Sequence, residues 1–292
     1  MDRVYIMADL EGIAGMASWD RPEMPPNDRF SPEEFFEFRR RRYLQLTEEV
    51  NAAVEGASAA GAEEIVVWDS HGRGFNILPE KLHPECTLIT GEYRRGRSFY
   101  PLLDQGWDAA LYIGGHARAG TLGATLPHTL MILNGRPMGE VGMFAAVCGH
   151  LGIPMVYVSG DQAVVDEVRE LIPQVGFTVT KWALHATLVR TLPCRKAVEL
   201  IRRDVEAALR RRDEIPPLRL ERPYEVVYDA GGRGERMTGE DLFELYAVEV
   251  LNRLGYDYGP KSPLDRDKPL QDPRYIEHLK RTAGSVYMER GR

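Results

Sequence analysis

The sequence predicts an α/β protein, with a mostly parallel sheet flanked by helices and a smaller α+β unit toward the C-terminus. Three observations predict it. Short apolar runs recur through roughly the first 180 residues, and most are followed closely by Gly, Ser or Asp, as buried parallel strands are. A long helical pattern separates the first two runs, which implies a right-handed crossover and parallel pairing. Beyond about residue 185 this rhythm gives way to a charged amphipathic helix, an alternating strand and another helix.

The runs Val4–Ala8, Glu64–Trp68, Thr87–Thr90, Ala109–Gly114 and Met155–Ser159 read as strands. Ser31, Pro32, Glu33 and Glu34 supply an N-cap, a first-turn proline and acidic residues at the positive end of a helix. Tyr43, Leu46, Val50, Val54 and Ala57 then recur every three or four positions, and Gly61 follows as a stop. Leu130–Leu133 with Asn134-Gly135 reads as a strand and a tight turn. A helix is expected from near Gly139, with Val141, Phe144, Ala145 and Cys148 on one face, and another after a cap at Asp161. Pro193–Arg212 forms the charged amphipathic helix, Pro223–Asp229 the half-exposed strand and Asp241–Leu254 the last helix. The expected division is a catalytic α/β domain over 1–185, a smaller α+β domain over 186–258 and an extension or strap over 259–292.

A chain of 292 residues needs no disulfide staples, because it can bury about 75% of its unfolded surface. Cys86, Cys148 and Cys194 are odd in number and widely spaced, without Cys-x-x-Cys, so neither a disulfide framework nor a thiolate metal site is indicated. A net charge of −7 gives no argument for a nucleic-acid or membrane surface. The basic run Arg39–Arg42 follows Glu33, Glu34 and Glu37 and reads as a solvated helix face or subunit contact. No apolar stretch approaches the roughly 18–20 residues of a membrane span. With no leader pattern before Val4, the cytoplasm is the expected compartment.

Against this ordinary background, five residues of metal-binding type sit just past apolar runs. They are Asp9 and Glu11, His71, His116 and Glu140. In an open α/β sheet, ligands bind at the carboxyl ends of the strands, and Asp9, His71 and His116 each follow a strand toward that edge. Asp9 and Glu11 are two apart, so in extended backbone they project to one side, and Gly12 lets the chain turn away. A catalytic zinc takes three protein ligands and keeps a position for water. Five side chains with Asp9 bridging supply three bonds to each of two ions. A water shared by two such ions is deprotonated near neutral pH and can attack a polarised carbonyl. The donor set is most typical of zinc, and manganese or cobalt would suit it as well. Each residue has an ordinary alternative: a capped turn at Asp69-Ser70-His71, a helix N-terminus at Glu140, a core histidine at His116, turn residues at Asp9 and Glu11. Those alternatives must hold together on one sheet edge, and a dinuclear metallohydrolase accounts for all five at once.

The motifs also resemble a known family. Asp-x-Glu-Gly at 9–12, Trp-Asp-Ser-His at 68–71, Gly-x-His-Ala-Arg at 114–118, His-Thr at 128–129 and Gly-Glu-x-Gly at 139–142 are similar to those of zinc-dependent D-aminopeptidases. The likeness extends to Lys81–Pro84, Leu88–Gly91 and Pro154–Asp161, and so covers roughly residues 1–200. It implies release of an N-terminal amino acid, D-alanine for example, from short peptides. It implies Asp9, Glu11, His71, His116 and Glu140 as ligands, and a catalytic role for His128, for which general acid/base or carbonyl-polarising work suits better than nucleophilic attack. It also implies ring-like homo-oligomers that enclose the active sites. Arg118, two residues past His116, could hold a substrate carboxylate; a structural salt bridge is the alternative. The resemblance fades after about residue 225, where Asp229–Glu235 departs from the family pattern, and Arg21–Phe30 looks longer than usual. Two other readings stay open: a dinuclear hydrolase of cyclic or sugar amides, or of phosphoesters, and a non-catalytic peptide- or metal-binding accessory protein.

Overall fold

The computed structural model describes residues 3–19, 31–72, 74–91, 98–229 and 234–251. Its main sheet is built from the apolar runs. They become β1 (Arg3–Ala8), β2 (Glu64–Asp69), β3 (Thr87–Ile89), β4 (Ala109–Gly115) and β7 (Met155–Asp161), while β5 (Met131–Leu133) and β6 (Arg136–Met138), between β4 and β7 in the chain, belong to a second sheet. β1, β4 and β7 are buried along nearly their whole length, the burial expected of parallel strands covered on both faces. The order is β3-β2-β1-β4-β7, continued by β8 (Gly176–His185) and β9 (Leu188–Thr191). All neighbours pair in parallel except the hairpin β8–β9.

Between β1 and β2 runs α1 (Pro32–Ala59), whose N-terminus closes as a capping box. The Glu34 amide donates to Ser31 Oγ, and the Ser31 amide donates back to Glu34 Oε2. The chain first builds outward from β1 to β3, then returns to place β4 on the other side of β1. The topological switch therefore lies between β1 and β4, where a crevice opens at the carboxyl ends.

A second, antiparallel sheet has the order β11-β10-β5-β6, with β10 (Tyr224–Asp229) and β11 (Gly234–Gly239). β5 and β6 meet at Asn134-Gly135, whose φ angles of 49° and 77° give the tight turn expected there. From β6 the chain enters α2 (Glu140–His150), and from β7 it enters α3 (Gln162–Leu171), capped by Asp161 through the Val164 amide.

The main sheet continues past residue 185 through the β8–β9 hairpin, and the second sheet takes strands from residues 131–138 and 224–239. α4 (Cys194–Arg210) buries Ala197, Ile201, Val205, Ala208 and Leu209. It packs against α1 and β8, with Arg210 Nη2 donating to Ala59 O. β8 escapes a hydrophobicity reading because its pattern is inverted: Thr178, Thr180 and Lys181 are buried, while Phe177 and Leu184 are exposed. The expected last helix is a π-helix (Phe243–Val250). The Arg21–Phe30 segment and the extension over 259–292 lie outside the described residues.

Candidate metal centre and active site

Three strand ends deliver the first ligand types. Asp9 follows β1, His71 lies two residues beyond β2, and His116 follows β4. Glu140 opens α2 after the β5–β6 hairpin, and His128 comes from the loop between β4 and β5. These residues gather into two triads, Asp9–Glu11–His71 and His116–His128–Glu140, with the ligand atoms of each within 4.8 Å of one another. Asp9 joins them: its Oδ2 stands 3.6 Å from His116 Nε2. Within the triads, His71 Nε2 lies 3.1 Å from Glu11 Oε1, and Glu140 Oε1 lies 3.5 Å and 3.8 Å from Nε2 of His116 and His128.

Each histidine is turned the same way. Nδ1 of His71 faces Asn76 Oδ1 at 3.2 Å, that of His116 faces Ala117 O at 3.0 Å, and that of His128 faces Leu126 O at 2.9 Å. An oxygen acceptor at Nδ1 holds a proton there and orients Nε2 toward the carboxylates. Asn76 is itself locked: Asp69 accepts from its backbone amide and its Nδ2. Thr129, next to His128, donates to Glu140 Oε1 at 2.6 Å. Leu126 and Thr129 have φ of 51° and 56°, a left-handed backbone that costs a β-branched residue about 1–3 kcal/mol. That contorted loop stacks the His128 ring on His116 at 3.8 Å between centroids.

The loop carrying Glu11 is clamped from behind. Lys181 Nζ, fully buried on β8, donates to the carbonyls of Glu11, Ile13 and Met16. Thr180 Oγ1 donates to Gly12 O, and the Ala14 amide donates to Glu49 Oε1. Gly12 is required by closeness rather than by an unusual turn, since an added Cβ would stand 2.0 Å from Gly115 O. None of Lys181, Asn76 or Glu49 announces itself in the sequence. A lysine inside the strand-like Val179–Leu184 stretch is the one signal available, since a charge there must be paired or satisfied if buried.

Without a cation among these groups, their charges are in conflict. Burial and then Glu11 push the Asp9 carboxyl well above the ordinary carboxylate range. Burial opposes ionisation of Glu11 and Glu140 too, but His71 outweighs it at Glu11 and holds that group well below its usual value. His116 does the same for Glu140, which falls to about 2. Burial would lower His71 and His116, yet the facing carboxylates, chiefly Glu11 and Glu140, lift both to about 10. Asp9 Oδ2, Glu11 Oε2 and His116 Nε2 are buried with no hydrogen-bond partner. Asp9 Oδ2 and His116 Nε2 stand 3.6 Å apart and Glu11 shares the first triad with Asp9; orphaned ligand atoms so grouped fit a divalent cation, and carboxylate oxygen with imidazole nitrogen suits zinc.

A cavity of about 300 Å³ opens on this cluster, reached by Asp9, Glu11, His71, His128 and Glu140. Arg118 is elsewhere: its Nη1 pairs with Glu167 Oε1 at 2.9 Å beside a separate small cleft. Trp19 meets the edge of His128 at 5.1 Å between ring centroids.

An open α/β sheet with carboxylates and imidazoles converging at its topological switch defines a protein of the metal-dependent hydrolase class. Residues 2–234 match the family model described as D-aminopeptidase, and the chain belongs to that family. A curated D-aminopeptidase of Bacillus subtilis (strain 168) is 34% identical over 222 residues, covering 74% of this chain and 77% of that protein. The solved structure of the Zn-dependent D-aminopeptidase DppA from Bacillus subtilis, described as a self-compartmentalizing protease, superposes with a TM-score of 0.73 at 28% identity. It covers 86% of this chain and 96% of that one.

Proposed function

We propose that this chain is a zinc-dependent aminopeptidase that releases N-terminal D-amino acids from short peptides. Asp9, Glu11, His71, His116 and Glu140 would hold two divalent ions, with Asp9 between them. The observation that carries this reading is the pair of facing triads with orphaned buried donor atoms. Ions held there would acidify a water and polarise the scissile carbonyl.

The chain's own residues do the rest. Cavity-facing carboxylates draw in the substrate's ammonium group. His128 turns its Nε2 toward Glu140, because its Nδ1 faces Leu126 O. Its side chain is 36% exposed against 1% for His116, which suits a group that takes a proton and passes it to the leaving amine. The alternative role for His128, as a ligand beside His116, has support in its place within the second triad. Arg118 drops out of the substrate site in this reading, since Glu167 engages its guanidinium.

Self-association that encloses the active site is part of the proposal, by analogy with the self-compartmentalizing relative. Exposed Leu122, Leu184 and Leu188 offer apolar surface for it. The three free cysteines suit the reducing cytoplasm. No helix of the described residues is long and apolar enough to cross a membrane.

The test combines zinc content per chain with hydrolysis of D-alanyl and L-alanyl dipeptides by wild type and His128→Ala. The expected result is two zinc ions in both proteins, D-selective turnover, and a kcat loss of roughly 10²–10⁴ in the variant. Loss of one zinc from the variant would make His128 a ligand. Zinc-loaded wild type inert on every dipeptide would end the aminopeptidase reading.

A further inference from the structure

The cavity's lining is polar where the triads reach it and apolar elsewhere. Besides the triad residues it is lined by Phe99, Tyr100, Tyr246 and Leu251, together with Met7. Tyr246 belongs to the π-helix Phe243–Val250, and Leu251 follows it directly. Both lie beyond residue 234, where the match to the family model ends. π-Helical segments are rare and concentrate at functional sites, because the wider turn re-aims side chains that a regular helix would place elsewhere.

We propose that Phe99, Tyr246 and Leu251 form the subsite for the side chain of the substrate's N-terminal residue, and that it selects apolar side chains larger than methyl. This rests on the aminopeptidase reading, which puts the free amine at the carboxylates. An aminopeptidase cleaves one residue from that amine, and a residue spans at most about 3.3–3.6 Å of chain. The first side chain is therefore the one held inside a 300 Å³ cavity, while the rest of the peptide leads outward.

Burial gives the direction. His128 and Glu140 have side chains 36% and 25% exposed, which puts them at the mouth. Tyr100, Tyr246 and Leu251 are only 1%, 2% and 4% exposed, as deeply buried as Asp9 and Glu11 at 3% and 4%, so the apolar wall lies at the same depth as the inner carboxylates. The wall is also rigid. The Phe99 amide donates to Ala247 O at 2.8 Å, tying the 98–100 segment to the π-helix. Behind it, Tyr100 packs at 6.3 Å from Tyr246 and 5.4 Å from Phe144, and Phe99 meets the edge of Trp68 at 6.2 Å. A preformed apolar pocket of this kind gains affinity with each methylene that fills it.

The experiment uses the zinc-loaded full chain and two readouts. The first is kcat/KM for D-leucyl-glycine against D-alanyl-glycine. The second is calorimetric binding of D-leucine hydroxamate against D-alanine hydroxamate. Wild type should favour the leucyl compound in both by roughly tenfold or more. Leu251→Phe, which fills the pocket, should lower that ratio at least several-fold in both readouts. Leu251→Ala, which enlarges it, should shift preference from D-leucyl toward D-phenylalanyl. Turnover of both peptides with no leucyl preference, or a ratio that neither variant moves, would overturn the subsite. Absence of any turnover together with a leucyl preference in binding would sink the aminopeptidase reading and leave the subsite standing.

Discussion

Two groups of charged side chains are buried within the same end of this molecule, and they resolve their burial in opposite ways. Lys181, Asp69 and Asp161 are fully served by the fold. Lys181 gives its three protons to three carbonyls, Asp69 accepts from Asn76 and the Ile77 amide, and Asp161 accepts from the Thr125 and Val164 amides. Asp9, Glu11 and His116 each keep one buried donor atom with no partner. Other orphans exist among the described residues, such as Tyr112 Oη and Trp68 Nε1. Those are neutral groups, whereas these three converge. The served group builds the scaffold, and the unserved one is completed only by a ligand.

The contrast breaks hardest at Asp9. Asp9→Asn keeps the shape but removes the one carboxylate that joins both triads. Losing a metal's charge stabilisation of several kcal/mol corresponds to a fall in kcat/KM of roughly a thousandfold or more. Zinc per chain should drop below the wild-type value. The melting temperature of zinc-free protein should stay level or rise, because Asp9 Oδ2 forms no hydrogen bond that the variant would lose. A zinc-free variant that melts well below wild type would place Asp9 in the scaffold group instead.

Lys181→Met sharpens the other side. It strands the carbonyls of Glu11, Ile13 and Met16, and buried unsatisfied groups cost about 1–3 kcal/mol each. Since water entry relieves part of that, a loss of about 3 kcal/mol in urea unfolding of zinc-free protein is expected. This is the reverse of the Asp9 result, in which function is lost and stability kept. Unchanged stability would mean that the tripod of carbonyls does not hold the Glu11 loop.

How much of this was legible in the sequence divides along the same line. β1, β2, β4 and β7 could be read because both faces of each are buried over most of their length and their central residues are apolar. Asp9, Glu11, His71, His116 and Glu140 could be read as candidates because polar residues at strand ends and a helix start contrast with what precedes them. The structure brings all five together with His128. The scaffold group could not be read, because its partners are backbone atoms contributed by distant segments. Lys181 meets a loop some 170 positions earlier in the chain, and no local pattern marks that. β8 hid because its inward face is threonine and lysine. For Arg118 the sequence leaves a substrate clamp and a structural salt bridge equally open, because its partner Glu167 lies far along the chain on α3. The π-helix has the composition of an ordinary apolar helix, and its tie to Phe99 joins segments far apart in the chain.

Glu49 tests the rule from its boundary. It is fully buried, with Oε1 accepting from Gln45 and Ala14 and Oε2 left without a partner, yet it lies outside both triads. Burial pushes its carboxyl from the ordinary 4.5 up to about 7, against the lowering by Gln45, Ala14 and Lys181. It meets its orphaned oxygen by retaining a proton where Asp9 and Glu11 would take a cation. The folded pKa lies above the unfolded one, so the folded state binds the extra proton. Its stability relative to a neutral side chain is intact below about pH 4.5 and is lost as pH rises through 7. Glu49→Gln keeps the Oε1 acceptor and cannot ionise. Near pH 4.5 the two proteins should unfold at similar urea concentrations, and by pH 8 the variant should be the more stable, by at most about 3 kcal/mol. Zinc content should not change. Parallel stability curves across that range would mean that Glu49 is ionised and served after all, and that an orphaned carboxylate oxygen does not by itself distinguish the two groups.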